Sequence, residues 1–298
     1  MSFVSHRFLS RRRFLAAAAV CVAAPATVRG ARAGESRAFV PGVQLYSVAA
    51  PLKRDFAGTL AKLAAMGYRQ VELTDLHGKS AADWKKALDD AGLAAISIHH
   101  SVSTLEKDLT AALTFANTLG VSYIVCAAPR AAKAAQPTID EWRWNADFLN
   151  KVGEECATAT IRFGYHNHNT EFFAHKVSPM RNATGFSEIM TRTNPDYVTW
   201  ELDCGWAVTA GLDPSALLMR YRNRFSLLHV KDVAKDGERN YELKIKAVPV
   251  GQGVLDWRTV FEAARRSGVQ DYFVELEPGD GEPLVALKQS ADFLKTVS

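Results

Sequence analysis

The sequence predicts a closed (β/α)8 TIM barrel, an α/β fold, and three observations support this prediction. Short runs rich in Val, Ile, Leu and Tyr alternate with longer stretches of helical periodicity from residue 42 onward. There are eight such runs, and none is followed by a glycine-rich dinucleotide loop. The 298 residues, 48% of them hydrophobic, suffice for a barrel of about 250 residues. An open doubly wound sheet is the alternative, because alternation alone does not separate the two folds.

The predicted strands share β-branched and aromatic content. They are residues 43–46, 70–73, 95–99, 123–126, 162–166, 198–203, 226–230 and 272–275. In the order of the chain, we call them strands one to eight.

Four of the intervening helices are marked by a glycine directly after their last residue, where the chain commonly turns left-handed. These helices are predicted at residues 56–66, 81–91, 110–119 and 256–267. Asp256 and Trp257 are expected to cap and anchor the last of them. No low-complexity linker divides the chain, so we expect one catalytic domain over residues 34–298.

Residues 1–33 are typical of an export signal. They carry six arginines and no acidic residue, and the string S-R-R-R-F-L at residues 10–15 resembles the twin-arginine motif. An uncharged stretch follows, and Ala31-Arg32-Ala33 offers small residues for cleavage. This stretch is too short and too rich in alanine for a lasting membrane span. We therefore expect a periplasmic or otherwise exported protein, released by cleavage.

Charge and cysteine usage narrow the function further. The formal net charge is +4, but 30 basic residues face 32 acidic ones beyond residue 33, which gives a net charge near −2. No Lys/Arg stripe with interleaved aromatic residues occurs there, so a nucleic-acid partner is not expected. Cys126, Cys156 and Cys204 show no CxxC spacing, which favours buried packing over a disulfide framework or a thiolate zinc site.

Polar residues at the ends of predicted strands indicate the active site, because catalytic groups of such barrels gather at the C-terminal face. Asp203, His229 and Glu275 end three consecutive strands, so their side chains are expected to converge. Two carboxylates and an imidazole suit Mn²⁺, Mg²⁺, Co²⁺, Fe²⁺ or Zn²⁺, with manganese or magnesium favoured. A fourth ligand is expected from strand five.

Seven strings carry a resemblance to a known family. They are GVQLYSV, VELT, YHNHNTEF, ELDCGW, LLHVKD, PVGQGVLDW and FVELEP. In order and spacing they resemble the xylose-isomerase-like barrels of the sugar isomerase/epimerase superfamily, over residues 42–293. The resemblance implies one divalent metal ion, bound by one residue from each of strands five to eight. Strands six to eight then supply Asp203, His229 and Glu275.

Strand five departs from the family pattern. Many relatives have E-N-H where this chain has His166-Asn167-His168, so the aligned ligand is His166. His168 is the alternative, because a shift of one residue exchanges the side chain that faces inward. The resemblance to variants with this string implies action on 3-keto sugars or 3-keto glycosides. Glu275 is then expected to be the base, with His168 or Lys231 protonating the leaving oxygen.

Five residues are expected to contact substrate. They are Gln44, Glu72, His99, Trp206 and Lys231. For most of them an ordinary role competes: Gln44 and Glu72 could bond neighbouring strands or loops, Trp206 could be core, and Lys231 could pair with an acid. Glu171 is expected to orient a histidine of strand five.

Three function classes follow. The chain is expected to be a metal-dependent lyase or hydrolase for 3-keto glycosides, a metal-dependent sugar isomerase or epimerase, or a sugar-binding barrel without catalysis. In each case the partner is a small carbohydrate, and a homo-oligomer is compatible with all three. An endonuclease is not expected, because a basic surface is missing and the larger histidine-rich set for three metal ions is not present.

Overall fold

The structure, a computed structural model, describes residues 39–131, 137–277 and 281–297. The expected signal peptide, residues 1–33, lies outside the described residues. Eight parallel strands form a closed barrel, in which each strand pairs with the next and the last pairs with the first. They are β1 Pro41–Gln44, β2 Gln70–Leu73, β3 Ala94–Ser101, β4 Tyr123–Ala128, β5 Arg162–His166, β6 Val198–Asp203, β7 Phe225–Val230 and β8 Asp271–Val274. The predicted closed barrel is confirmed, and the open sheet is wrong.

All eight predicted strands are present, but β1 lies two residues earlier than predicted, and β3 and β4 each end two residues later. The side-chain oxygen of Gln44 accepts a hydrogen bond from the backbone N–H of Tyr46 at 2.9 Å. This bond caps the 3-10 turn Leu45–Val48 and turns the chain out of the sheet. Tyr46 therefore lies above the barrel, with 42% of its surface exposed.

Among the described residues, ten α-helices surround the barrel. They are α1 Ala49–Arg54, α2 Phe56–Met66, α3 Ala81–Ala91, α4 Val102–Leu119, α5 Ile139–Thr158, α6 Gly185–Arg192, α7 Cys204–Thr209, α8 Pro214–Arg220, α9 Trp257–Ser267 and α10 Pro283–Leu294. The predicted end of α2 is confirmed, since Gly67 follows it at φ 109°, which a side chain would strain. The predicted helix 110–119 is the second half of α4. Asp108 breaks the helical backbone there and caps the next turn through the N–H of Ala111.

Two small antiparallel hairpins follow the C-terminal ends of barrel strands. One pairs Ala174–Ser178 with Arg181–Thr184 after β5, and the other pairs Asp232–Val233 with Ala247–Val248 after β7. A further 3-10 turn, Thr170–Phe172, lies between β5 and the first hairpin. These additions enlarge the face on which the candidate site lies.

Buried Asp232 organises the loop that contains the PVGQGVLDW string. Its carboxylate accepts hydrogen bonds from the backbone N–H groups of Gly251 at 2.9 Å and Gly253 at 3.2 Å, and from the indole of Trp257 at 2.9 Å. Asp256 caps α9 directly after this loop, as predicted. The loop is therefore fixed by one buried charge that is fully hydrogen-bonded.

The apolar core has two parts. Most of it lies between strands and helices, while Tyr123, Val125, Leu227 and Phe273 form a small cluster of their own. In the strand register Val125 is level with His99 and Phe273 with His229, so this cluster faces the barrel interior. It closes the interior beneath the polar residues at the C-terminal ends.

The burial of the cysteines tests one smaller prediction. Cys126, Cys156 and Cys204 are free and buried, as expected. Within the described ranges, no helix has the length and apolar character needed to cross a bilayer.

Candidate active site

Strand alternation gathers the polar side chains at one end of the barrel interior. Glu201 and Asp203 on β6 are two residues apart and share a face, as do His229 and Lys231 on and just after β7. Glu275 and Glu277 repeat this spacing after β8. The period of two thus directs alternate residues of neighbouring strands toward one point.

Four residues form the candidate metal centre. His166, Asp203, His229 and Glu275 each offer one ligand atom, and these atoms all lie within 4.8 Å of one another. Nδ1 of His229 is 2.9 Å from Glu275 Oε2 and 3.6 Å from Asp203 Oδ2. Nε2 of His166 lies 4.0 Å from the same Asp203 oxygen. The structure thus brings together the four predicted ligands, with His166 in the cluster and His168 outside it.

The donor set fits a divalent cation. Asp203 is fully buried, and its Oδ1 accepts the N–H of Trp206 at 2.7 Å. Its backbone N–H donates a hydrogen bond to Asn167 Oδ1 at 3.1 Å. Oδ2 has no hydrogen-bond partner among the described residues, although the Lys231 ammonium lies 3.2 Å away. The Asp203 oxygen is thus available as a ligand. Two carboxylates and two imidazoles are a usual ligand set for Mn²⁺, Fe²⁺, Co²⁺ or Zn²⁺.

In each ligand histidine, the ring nitrogen that points away from this centre contacts a carboxylate of the layer below. Nε2 of His229 is 2.6 Å from Glu72 Oε2, and Nδ1 of His166 is 3.2 Å from Glu201 Oε2. A carboxylate that accepts the ring N–H fixes the tautomer, so that the opposite nitrogen is free to bind a metal. His99 joins the two carboxylates, at 2.7 Å from Glu201 and 3.1 Å from Glu72. We call Glu72, His99 and Glu201 the supporting layer.

The position of Glu72 disagrees with its predicted contact to substrate. The residue is completely buried, and its other oxygen accepts the hydroxyl of Ser97. Gln44 also donates to Glu72, at 3.0 Å. Because both oxygens are occupied by protein donors, the geometry favours a positioning role for Glu72.

Opposite charges balance within the supporting layer. Burial raises the pKa of Glu72, but the neighbouring His99 and His229 outweigh burial and hold that pKa at about 2. Burial lowers the pKa of His99, but Glu72 and Glu201 outweigh it and raise that pKa to about 9. Burial and the charge of Glu72 raise the pKa of Glu201 to about 7. His99 is therefore a cation at neutral pH, opposite an ionised Glu72.

The Lys231 ammonium forms ion pairs with three carboxylates. Its Nζ lies 2.7 Å from Glu275, 2.6 Å from Glu277 and 3.2 Å from Asp203. The ammonium also lies 4.9 Å from the ring centre of Trp206. Burial lowers the pKa of Lys231, but the carboxylates, Asp203 first, outweigh burial and raise it. These contacts favour charge neutralisation over the predicted catalytic and substrate-binding roles.

A cavity of about 290 Å³ opens above the candidate metal centre. Its lining residues come from seven of the eight strand ends and from the loop after β7. They are Gln44, Tyr46, Thr74, His99, Ala127, His166, His168, Trp206, Leu243, Glu275 and Glu277. Of the predicted substrate contacts, Gln44, His99 and Trp206 line the cavity, whereas Glu72 and Lys231 do not. A larger surface cleft of about 740 Å³, lined by Lys53, Phe56 and Lys79, contains none of these site residues.

His168 lies in the cavity wall beside Trp206, with 5.5 Å between ring centres. Its backbone N–H donates to Glu171 at 3.1 Å, and Glu171 also accepts the hydroxyl of Tyr165 at 2.7 Å. Glu171 therefore orients the turn after β5 through its backbone and not, as expected, through a histidine ring. Burial is the chief cause that lowers the pKa of His168, so its ring is neutral at neutral pH.

The sequence did not indicate four of the cavity residues, which are Tyr46, Thr74, Ala127 and Leu243. A tyrosine inside a strand-like run and a leucine in a polar segment carry no local signal of a site. Glu277 lies two residues after Glu275 and shares its face in an extended chain, and this spacing is the signal that could indicate it.

Comparison with known proteins agrees with the fold. The family model described as "Xylose isomerase-like TIM barrel" matches residues 60–297, which is most of the chain. The chain belongs to this family. The resemblance found in the sequence motifs is thereby confirmed at the level of the superfamily.

Individual relatives of this xylose isomerase-like barrel are distant. Inosose dehydratase of Lacticaseibacillus casei is 28% identical over 160 residues, which covers 49% of this chain and about half, 51%, of that protein. Inosose dehydratase of Geobacillus thermodenitrificans (strain NG80-2) is 24% identical over 272 residues, covering 80% of this chain and 89% of that one. A crystal structure of a sugar phosphate isomerase/epimerase from Parabacteroides distasonis superposes with a TM-score of 0.70 at 27% identity, covering 88% and 96% of the two chains. These relatives support a sugar-modifying enzyme of the superfamily.

Proposed function

We propose that this xylose isomerase-like barrel is a divalent-metal-dependent lyase for 3-keto glycosides. The observation that carries the proposal is the identity of the ligands that reach the cavity. His166 and Glu275 line it, whereas Asp203 does not, so one ligand carboxylate faces substrate. Epimerisation needs a second proton-transfer group on the opposite face of the sugar, whereas elimination from adjacent carbons does not.

A divalent ion held by His166, Asp203, His229 and Glu275 would supply a Lewis acid for the negative charge that develops on the ketone oxygen at C3. The donors suit Mn²⁺, with Fe²⁺, Co²⁺, Zn²⁺ and Mg²⁺ as the other candidates. The supporting layer fixes the two imidazoles in the tautomers that this requires.

Glu275 is suited to remove the proton at C2. Burial raises its pKa, but Lys231 and His229 outweigh burial and hold that pKa well below its ordinary value. The carboxylate is therefore ionised at neutral pH. As the C2–H bond breaks, its electrons form the C1=C2 double bond and the bond from C1 to the glycosidic oxygen breaks.

His168 is suited to deliver a proton to the leaving oxygen. A neutral imidazole can accept a proton at one nitrogen while it releases the proton on the other. The proton taken from C2 can thus reach the departing alcohol, and the step is balanced without an added oxidant or reductant. Trp206 lies beside His168 in the cavity wall, and because it is only 3% exposed it supports the His168 ring more than it offers a face to the sugar.

The curated relatives support elimination as the type of reaction. A dehydratase expels water, and loss of water next to a ketone also begins with removal of the neighbouring proton. In a 3-keto glycoside the glycosidic oxygen takes the place of the departing hydroxyl. Isomerisation or epimerisation is the second candidate, which the name of the Parabacteroides structure favours.

The deciding experiment is incubation of the metal-loaded protein with a 3-keto glycoside in deuterated water. Release of the C1 alcohol is the expected result. Deuterium at C2 with inverted configuration and an intact glycosidic bond would instead identify an epimerase. If neither alcohol release nor exchange occurs with any 3-keto glycoside, the proposed reaction is wrong.

A further inference from the structure

The cavity has a polar floor and an apolar rim. The rim consists of Tyr46 and Leu243, which are 42% and 52% exposed, whereas His166 and Glu275 on the floor are buried. Seven large hydrophobic side chains among the described residues are at least 36% exposed, and two of them line this one cavity. Such an apolar rim beside a polar floor is typical of a site for a ligand with two different ends.

Leu243 is held in a strained backbone conformation. Its φ is 55°, in the left-handed region, which costs a residue other than glycine about 1–2 kcal/mol. Its N–H donates to Asn169 Oδ1 at 3.2 Å, and the amide of Asn169 donates to the backbone oxygen of Asn240 at 3.0 Å. Asn169 is completely buried and directly follows the His-Asn-His string. Strain that is fixed in this way at a cavity residue indicates a function for the side chain.

Tyr46 is fixed to the floor in a similar way. Its N–H donates to Gln44 Oε1, and the other side of that amide donates to Glu72 in the supporting layer. Both rim residues are therefore tied by hydrogen bonds to residues of the site itself. A rim that is preorganised in this way loses little conformational entropy when a ligand packs on it.

The size of the cavity determines which part of a ligand meets the rim. Its volume of about 290 Å³ is at the lower limit for small-molecule pockets, about 300–1,000 Å³, so a sugar ring accounts for most of it. With C2 at Glu275, a substituent on C1 has to leave through the open end, where Tyr46 and Leu243 lie. Sugar hydroxyls gain nothing from a leucine, whereas a planar apolar group packs well on a tyrosine and a leucine.

We infer that the rim is a binding site for an aromatic aglycone, so that the preferred substrates are aryl glycosides. This inference rests on the proposed function, because it assumes that the substrate carries a group at C1. It adds the chemical class of that group and the residues that select it.

The test compares phenyl and methyl glycosides of glucose, galactose, mannose and xylose as ligands of the metal-loaded protein, by calorimetry. We expect that for at least one sugar the phenyl glycoside binds about tenfold more tightly, as follows from burying one face of a ring. In Leu243→Gly this ratio should fall to below about threefold. Glycine adopts φ 55° without strain, so the variant should remain folded.

Asn223→Gly is the matched control. Asn223 also has a left-handed backbone, at φ 65°, but it does not line the cavity. This substitution likewise places a glycine at a left-handed position and should leave the tenfold ratio unchanged. Equal affinities of the phenyl and methyl forms for every sugar, or no binding of any phenyl glycoside, would overturn the inference.

The same ligands separate this inference from the proposed function. Protein that prefers the phenyl glycoside but releases no phenol from its 3-keto form has the aglycone site and is not the proposed lyase. Protein that cleaves 3-keto methyl and 3-keto phenyl glycosides with equal efficiency and equal affinity is the lyase and has no aglycone site.

Discussion

At the scale of single residues, the candidate site depends on side chains that touch no substrate. Glu72 is completely buried, yet it contacts His229, His99, Gln44 and Ser97. Its negative charge keeps the ring proton of His229 on the nitrogen that faces away from the candidate metal centre. The roles of these residues follow from their neighbours across the barrel and not from their own position in the chain.

We predict that Glu72→Gln weakens binding of the divalent ion by about 10-fold to 100-fold, the usual effect of losing such a partner. The change keeps the size of the side chain and removes its charge. The measurement is competition with a chromogenic chelator. Glu188→Gln is the control, because Glu188 is also buried but pairs with Arg143 and Arg192. Equal metal affinity in Glu72→Gln and in the unchanged protein would contradict the positioning role.

Glu275 and His168 should respond differently to substitution. Glu275→Gln removes both a ligand charge and the base, so we expect weaker metal binding together with loss of most activity. His168→Ala should keep the metal, because His168 is outside the four-residue cluster, and slow the reaction by about 10²-fold to 10⁴-fold. Metal content and single-turnover rates measured on the same samples test this. A His168→Ala protein that loses its metal would show that the strand-five ligand is assigned to the wrong histidine.

At the scale of elements, the loop between β7 and α9 depends on close approach of Gly253 to Asp232. A Cβ on Gly253 would lie 2.1 Å from the Asp232 oxygen and 2.4 Å from the carbonyl of Val233. We expect Gly253→Ala to lower the free energy of unfolding by about 1–3 kcal/mol, as for other overpacked sites. Urea denaturation measures this. Gly281→Ala is the control, since no atom of the described part of the chain lies within 4 Å of its Cβ, and it should change stability little. Equal stability of the two variants would contradict the proposed rigidity of this loop.

The elements also show how far sequence reasoning reaches. Alternating strands and helices, with Gly67, Gly92 and Gly268 after helices, were enough to predict the barrel and most element bounds. The hairpins were missed because strands such as Ala174–Ser178 and Arg181–Thr184 lack the runs of Val, Ile, Leu and Tyr that marked the barrel strands. The site was predicted where a strand end carries a charged group, as at Asp203. Leu243 was missed, because its place above the cavity depends on a bond to Asn169, 74 residues away.

At the scale of the whole molecule, we expect one divalent ion per mature chain, since the supporting layer acts through hydrogen bonds. Elemental analysis of protein purified without added chelator tests this. Removal of the ion should leave buried carboxylates uncompensated and lower the melting temperature, which added Mn²⁺ should restore. Full activity of metal-free protein would contradict the site.

We also propose that the protein is exported through the twin-arginine pathway. Changing Arg11 and Arg12 to Lys together should keep it in the cytoplasm, because a receptor reads the arginine pair. Cell fractionation with an antibody against the mature domain measures the distribution. The control changes Arg29 and Arg32 to Lys. It keeps the same charge and leaves the twin-arginine motif intact. Normal export of the first variant would contradict the proposal.

The pairing of β1 with β8 determines when this chain can finish folding. Pro41, Gly42 and Val43 align with Tyr272, Phe273 and Val274, so the first strand waits for the last one to be synthesised. Until then β1 and β7 are open sheet edges whose unpaired N–H and C=O groups can pair with other chains. Contacts so distant in sequence form slowly. A ribosome that stalls before residue 271 therefore releases an aggregation-prone sheet of seven strands, and residues 271–274 close the barrel.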